Sequence, residues 1–188
     1  MYTHKNGITL TKIRRDHLDL LRDLKNKSWA STHNIKFLNE DDQEKWFNKL
    51  DDTRNLFLIA GATNQPRIGL YKIQNIDWMN RKYDSAHDVF EKYRGKGYGK
   101  LILEAGVDFG FEVLNMNRID TEILRNNIKS ISNAKYAGFI EEGVKRKSIY
   151  KCREYVDSIV CGILREEWEC LDRVTNYGSV CNKNYELG

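Results

Sequence analysis

Between residues 93 and 100 the chain reads Tyr-Arg-Gly-Lys-Gly-Tyr-Gly-Lys, three glycines at alternate positions among Arg94, Lys96 and Lys100. Glycine leaves backbone N–H groups unshielded and accepts the positive φ angles of a tight anion-holding nest. Apolar residues at helical spacing come next, so those N–H groups stand at the positive end of a helix dipole. The chemistry this suits is the binding of a phosphate or pyrophosphate. Spacing removes two owners. A nucleoside-triphosphate loop needs Gly five residues before its Gly-Lys pair and Ser or Thr after it; here those positions hold Arg94 and Leu101. A dinucleotide fingerprint needs Gly-x-Gly-x-x-Gly on a first strand–turn–helix unit, whereas Gly95, Gly97 and Gly99 alternate and lie mid-chain.

The spacing that remains, Arg-x-x-Gly-x-Gly from Arg94 to Gly99, resembles the pyrophosphate loop of the GNAT superfamily of N-acetyltransferases. Further stretches resemble that superfamily in the expected order, over about residues 7–168. Asn127-Ile-Lys-Ser130 opens a helical pattern ending at Gly138-Phe139, and Ile76-Asp77 with Asn80-Arg81 is similar to a turn of its ribosomal-protein and amino-sugar branches. Tyr155-Val-Asp157 and residues 162–168 are similar to their closing strand. The resemblance implies acetyl-coenzyme A as cofactor, held by Arg94, Gly95, Lys96, Gly97, Tyr98, Gly99 and Lys100. It also implies that Asn127 contacts the cofactor, that Ser130 contacts its pantetheine arm and that the Val89 backbone serves the oxyanion.

Acetyl transfer to an amine must orient both reactants, stabilise an oxyanion and manage protons. Asp84 falls where related enzymes place a strand glutamate. It is the leading base, working through water because its side chain is short; Asp77 and Glu122 are alternatives, and a solvated strand-end carboxylate is the plain reading. His87, three residues along a strand, faces the opposite way and belongs to packing or to the cofactor side. His4, His17 and His33 read as surface residues. Many relatives carry a tyrosine acid where this chain has Ala134, and Tyr136 lies about 200° further round a helix. Asn127 also reads as a plain helix cap. Trp29 and Asp77 are assigned to the acceptor, Trp46 to the core. Residues 39–50 resemble the second helix of acetyltransferases acting on nucleotide-linked amino sugars, which makes such a sugar the preferred acceptor. Protein N-terminal amines and aminoglycosides are the alternatives, and a non-catalytic coenzyme A-binding module is a reading of another class.

The elements that must position these groups are set by periodicity. Residues 8–13 alternate as a strand, Asp16 caps a helix carrying Leu18, Leu20, Leu21 and Leu24, and Asn39 caps a second with Trp46, Phe47 and Leu50. Residues 56–60 form a buried strand. Residues 67–76 and 82–90 form strands about the 77–81 turn. A helix spans about 97–114 with Leu101, Ile102, Ala105, Phe109 and Val113 on one face; Gly106 and Gly110 weaken it but permit close packing on a sheet. Residues 118–124, a helix from Asn127, and a hairpin of 139–149 with 155–164 complete the order. By resemblance this is an α/β (α+β) GNAT fold: a central mixed, mostly antiparallel sheet, its parallel central strands splayed, flanked by helices.

The 188 residues suit one domain, with a core of about 7–168 and a peripheral tail at 169–188. A hydrophobic content of 40% with 31% charged residues is ordinary for a globular protein, and the +4 net charge is scattered, which argues against nucleic acid as a partner. No stretch approaches the roughly 20 apolar residues that cross a bilayer, and the start lacks a signal-peptide profile, so the expectation is a cytoplasmic protein without a membrane partner. Cys152, Cys161, Cys170 and Cys181 are spaced too widely for a metal site and read as free thiols. A homodimer through the 166–188 tail is an open possibility.

Overall fold

The computed structural model describes residues 1–27 and 37–171; Trp29 and His33 lie outside them. Its frame is a sheet ordered β1-β2-β3-β4-β5-β6-β8-β7. These strands are β1 (Tyr2–Thr3), β2 (Thr9–Lys12), β3 (Leu56–Ala62), β4 (Gln65–Asp77), β5 (Lys82–Val89), β6 (Arg118–Leu124), β7 (Ile140–Lys151) and β8 (Glu154–Leu164). Helices α1 (Leu18–Lys27) and α2 (Glu40–Asn48) precede β3, α3 (Tyr98–Glu112) follows β5, α4 (Ile128–Ala137) follows β6, and α5 (Arg165–Glu169) follows β8. The sheet is mixed, as expected: β5 and β6 run parallel and every other neighbouring pair runs antiparallel.

Helices cover both faces, and the sequence of β3 shows why. Its unbroken apolar run sends Leu58 and Ala60 into one core and Phe57 and Ile59 into another. The first core takes Ile102, Ala105 and Phe111 from α3; the second takes Leu21 and Leu24 from α1, with Trp46 set edge-on to Phe57. The expected face of α3 is displaced: Ile102 and Ala105 are buried, but Val113 is exposed because the helix ends at Glu112. Gly106 and Gly110 do permit close packing. A Cβ at Gly106 would stand 2.2 Å from the Tyr71 ring, and one at Gly110 would stand 2.3 Å from the Tyr83 hydroxyl.

Three expectations need correction. Asp16 does not cap α1; it sits inside a 3-10 turn, Arg15–His17, that leads into the helix. Asn39 does cap α2, accepting from the Asp42 N–H at 2.8 Å. His4 and His17 are buried rather than superficial. The His4 ring meets Asp108 of α3 at 2.8 Å, and the His17 Nδ1 accepts from the Arg14 N–H. Of the cysteines, Cys152 and Cys161 are free, whereas Cys170 is disulfide-bonded.

The parallel pair is the irregular part of this sheet. Residues Lys82, Tyr83 and Asp84 pair with Arg118, Ile119 and Asp120, and there the ladder stops. Both strands continue, β5 to Val89 and β6 to Leu124, so they diverge as a fork.

The Gly106 contact gives a direct test. Tyr71 is fully buried and cannot yield, so Gly106→Ala should destabilise the fold by about 1–3 kcal/mol or more. Gly143, whose added Cβ would meet nothing within 4 Å, serves as the tolerant control. Urea denaturation of the two variants compares them.

Candidate functional site

The fork exposes a particular set of backbone groups. The Phe90 N–H donates to the Ile68 carbonyl at 2.9 Å, so even-numbered residues of this stretch aim their backbone at β4. Odd-numbered residues then aim at β6. The Ser85 carbonyl accepts the Thr121 hydroxyl at 3.1 Å at the apex, and the Val89 carbonyl accepts Arg94 Nε at 3.1 Å. Between these two, the His87 N–H and C=O and the Val89 N–H face the opening, where no β6 residue stands opposite. Such an edge can take an extended amide-bearing chain as a strand substitute.

At the open end lies the glycine loop. A 3-10 turn, Glu91–Tyr93, brings Arg94 back onto Val89. Gly95 and Gly97 have φ of 77° and 81°, and an added Cβ at either would meet nothing within 4 Å. Conformation therefore demands glycine at both positions, and the space beside them is open. Gly97 is the N-cap residue of α3 and offers no side chain to its first turn, which leaves those N–H groups for an anion. Tyr98 packs edge-on against Tyr93, the Lys96 ammonium lies 5.7 Å from the Tyr93 ring, and the Lys100 ammonium lies 5.0 Å from the Tyr136 ring. A pyrophosphate fits this cradle of N–H groups and cations.

Gly99 has a different reason. Its φ is ordinary, but an added Cβ would stand 2.7 Å from the Asn133 amide and 3.7 Å from His87 Nε2. Those two side chains meet at 3.2 Å, which joins β5 to α4 across the helix side of the fork. Burial pushes the His87 pKa down to about 4, with Asp88 opposing and Lys72 assisting, so its ring is neutral and Nε2 accepts from Asn133. His87 thus faces away from Asp84, as the alternation requires. On α4, Asn127 caps the helix through the Ser130 N–H at 3.2 Å. Ala134 is buried in the core, and Tyr136 is exposed on the outer side.

On the opposite sheet face, shared with α1 and α2, a cleft of about 450 Å³ opens beside the apex. Asp84, Asp120, Asp77, Arg54 and Trp78 line it. Asp84 is exposed and accepts from the Asn75 amide at 2.8 Å. Asp120, the parallel neighbour of Asp84, is held by Arg118, which also grips Glu142. Glu122, two residues on, accepts from Lys145 at 2.6 Å. Asp77 accepts from the backbone and side-chain N–H groups of Asn80 at 2.9 and 2.7 Å, and these donors hold its carboxyl below the usual range while it pins the turn. Asp84 and Asp120 were separable in sequence only as members of two strands; their adjacency comes from the parallel register. The His87–Asn133 link and the Thr121 bond have no local sequence signal.

Known proteins resemble this chain in sequence and in fold. Residues 8–140 match the family model described as an acetyltransferase (GNAT) domain. The SPbeta prophage-derived uncharacterized N-acetyltransferase YokL of Bacillus subtilis is 25% identical over 169 residues, 89% of this chain and 96% of that protein. The spermidine N(1)-acetyltransferase of Vibrio cholerae is 24% identical over 140 residues, 72% of this chain and 80% of that protein. The structure of a spermidine N-acetyltransferase from Vibrio cholerae, in complex with CoA and spermine, superposes with a TM-score of 0.83. It is 21% identical and covers 87% of this chain and 99% of that one.

Two measurements check the helix side of the fork. Gly99→Ala should displace Asn133 and weaken coenzyme A binding by about tenfold, while Asn133→Ala in the same background restores part of it; equilibrium titration reads both. His87 binds its proton more weakly when folded than at its ordinary pKa of 6.5. Its contribution to stability is therefore present above pH 6.5 and lost as the pH falls toward about 4. Denaturation midpoints across that window should drop less in His87→Gln than in the parent.

Proposed function

The chain belongs to the GNAT acetyltransferase family, and we propose that its fork carries an acetyl group from acetyl-coenzyme A directly to the primary amine of a small acceptor. The observation that carries this reading is the end of the β5–β6 ladder at Asp84 and Asp120, with the glycine loop at the mouth of the opening. Acetyl-coenzyme A supplies the activated acyl carbonyl, a thioester. Arg94, the cations of the loop and the α3 N-terminus hold its pyrophosphate. The His87 and Val89 backbone groups align the pantetheine arm along the opening. The Val89 N–H, about 16 Å along β5 from Asp84, lies too far from that carboxylate to serve the oxyanion of the same reaction, so that contact falls to a backbone group nearer the apex.

Asp84 is the base in this reading. Amines of the α-amino type have pKa values of about 7.7–8.0, so a carboxylate beside the cleft accepts the ammonium proton directly or through one water. With Ala134 in the tyrosine position, no phenol from that site protonates the departing thiolate, which collects its proton from solvent. Asp84 and Asp120 line the apex cleft with Arg54 and Lys82, and Asp84, which accepts from the neutral Asn75 amide, offers its charge to an ammonium group. The acceptor expected from the sequence, a nucleotide-linked amino sugar, differs from the spermidine for which the Vibrio cholerae relatives are named. Both are primary amines and both remain in the screen.

Release of thiol from acetyl-coenzyme A, followed over polyamines, amino sugars, peptides and aminoglycosides, tests the proposal; coenzyme A binding without turnover on any amine would favour a non-catalytic module. Gly97→Asp should abolish coenzyme A binding, since it forces a side chain into a left-handed position and sets a negative charge beside the pyrophosphate. Asp84→Asn should lower kcat/KM by about 10- to 100-fold near pH 7. The deficit should narrow as the pH rises and free amine becomes abundant. An unchanged pH–rate profile would remove Asp84 from this role.

A further inference from the structure

The rim of the apex cleft is a stapled turn. Residues 51–55 lead into β3, and the Asp51 carbonyl accepts the Arg54 and Asn55 N–H groups at 3.0 and 2.8 Å. The Asp51 carboxylate takes the Thr53 N–H and hydroxyl at 2.9 and 2.6 Å. Three further bonds fasten this turn to the end of β4 and the turn after it. The Asn75 N–H donates to the Asn55 side chain at 3.3 Å, and the Ile76 N–H donates to the Arg54 carbonyl at 2.9 Å. The Trp78 indole N–H donates to the Thr53 carbonyl at 2.6 Å. Arg54 is therefore fixed by its backbone at the edge of the cleft, and it lines that cleft together with Asp84.

The other charges of the cleft answer one another. Asp120 is held by Arg118. The Asp77 carboxyl is kept below its usual range by the Asn80 hydrogen bonds first and then by the Lys82 ammonium. Two charges are left over. Asp84 accepts from the neutral Asn75 amide, and among the described residues neither it nor Arg54 has an ion pair. The Arg54 guanidinium makes no hydrogen bond among those residues either. Asp51, three residues before it, is held low by its Thr53 hydrogen bonds, with Arg54 the least of the causes. A guanidinium presents a planar fork of donors that matches a carboxylate or a phosphate two bonds at a time. In this cleft the fork stands beside the base and is not spent on the chain's own carboxylates.

We propose that Arg54 sets the acceptor specificity of the cleft, taking a carboxylate or phosphate on the same molecule whose amine stands at Asp84. This rests on the acetyl-transfer reading of the fork. One uncompensated charge of each sign orients an acceptor that carries both, end for end. A diamine in the same place would set its second ammonium against the guanidinium, which like-charge repulsion opposes. Trp78, half-exposed and anchored through its N–H, gives the cleft an apolar wall for the carbon skeleton of the acceptor.

The test uses matched amines on the full-length protein: γ-aminobutyrate against butylamine and putrescine, and glucosamine 6-phosphate against glucosamine. Each is titrated calorimetrically with coenzyme A saturating, so that the glycine loop is already filled, and each is then followed as an acceptor by thiol release. The anion-bearing member should bind about tenfold more tightly and show a kcat/KM higher by a similar factor. Arg54→Gln should erase that preference, Arg54→Lys should keep part of it, and Arg54→Glu should turn it toward putrescine. Coenzyme A itself should bind all four proteins alike. A carboxylated winner and a phosphorylated winner distinguish the two anion sources. A parent protein that binds no anion-bearing amine, or prefers butylamine, putrescine or glucosamine, overturns the assignment and keeps the acetyltransferase reading. A preference that survives in Arg54→Gln overturns it as well. Failure of coenzyme A to bind overturns the acetyltransferase reading instead.

Discussion

The site depends on one constraint: parallel strands β5 and β6 share only three residue pairs before they part. A parallel ladder that ran on would bury its backbone groups in mutual hydrogen bonds and leave a closed sheet. Here Thr121 takes the Ser85 carbonyl at the apex and Arg94 takes the Val89 carbonyl at the mouth. The groups between them are presented to whatever enters. Every other feature of the site is arranged around that opening: the loop at its mouth, the carboxylates at its apex, and the His87–Asn133 link along its helix side.

Holding a sheet open costs the backbone hydrogen bonds that would have closed it, so the arms must be fixed by other means. On the β5 arm, α3 lies so close to the sheet that Gly106 and Gly110 touch the Tyr71 and Tyr83 side chains where a Cβ would otherwise be. On the β6 arm, β8 pairs along the whole length of β6, from Arg118 to Leu124. Each arm is rigid by itself. The side-chain bond between His87 and Asn133 joins β5 to α4, the helix that follows β6. The three glycines of the loop consequently answer to two different demands. Gly95 and Gly97 are required by backbone conformation, whereas Gly99 is required by the packing of Asn133.

Charged groups on the α1/α2 side of the sheet stand at two places along β5. Near the apex Asp84, Asp120 and Glu122 stand on adjacent strands, each held by a polar or cationic neighbour. Farther out along β5, Asp88 pairs with Lys72 of β4 at 2.6 Å.

The sequence alone determined the family, the acyl donor and most of the elements. The glycine loop, the Asn127 cap and the strand and helix periods are local, and local chemistry is legible in a string of residues. The register of β5 against β6 was not legible, because pairing at Asp84 and stopping there is a relation between segments some thirty residues apart. The same holds for His4 and His17, whose burial depends on partners that only the fold supplies, Asp108 for His4 and the end of the 3-10 turn for His17. What binds the donor was written in consecutive residues. The cleft beside the apex was decided by tertiary structure, since it is lined from Arg54, the β4–β5 turn, β5 and β6, and no stretch of chain contains more than a part of it.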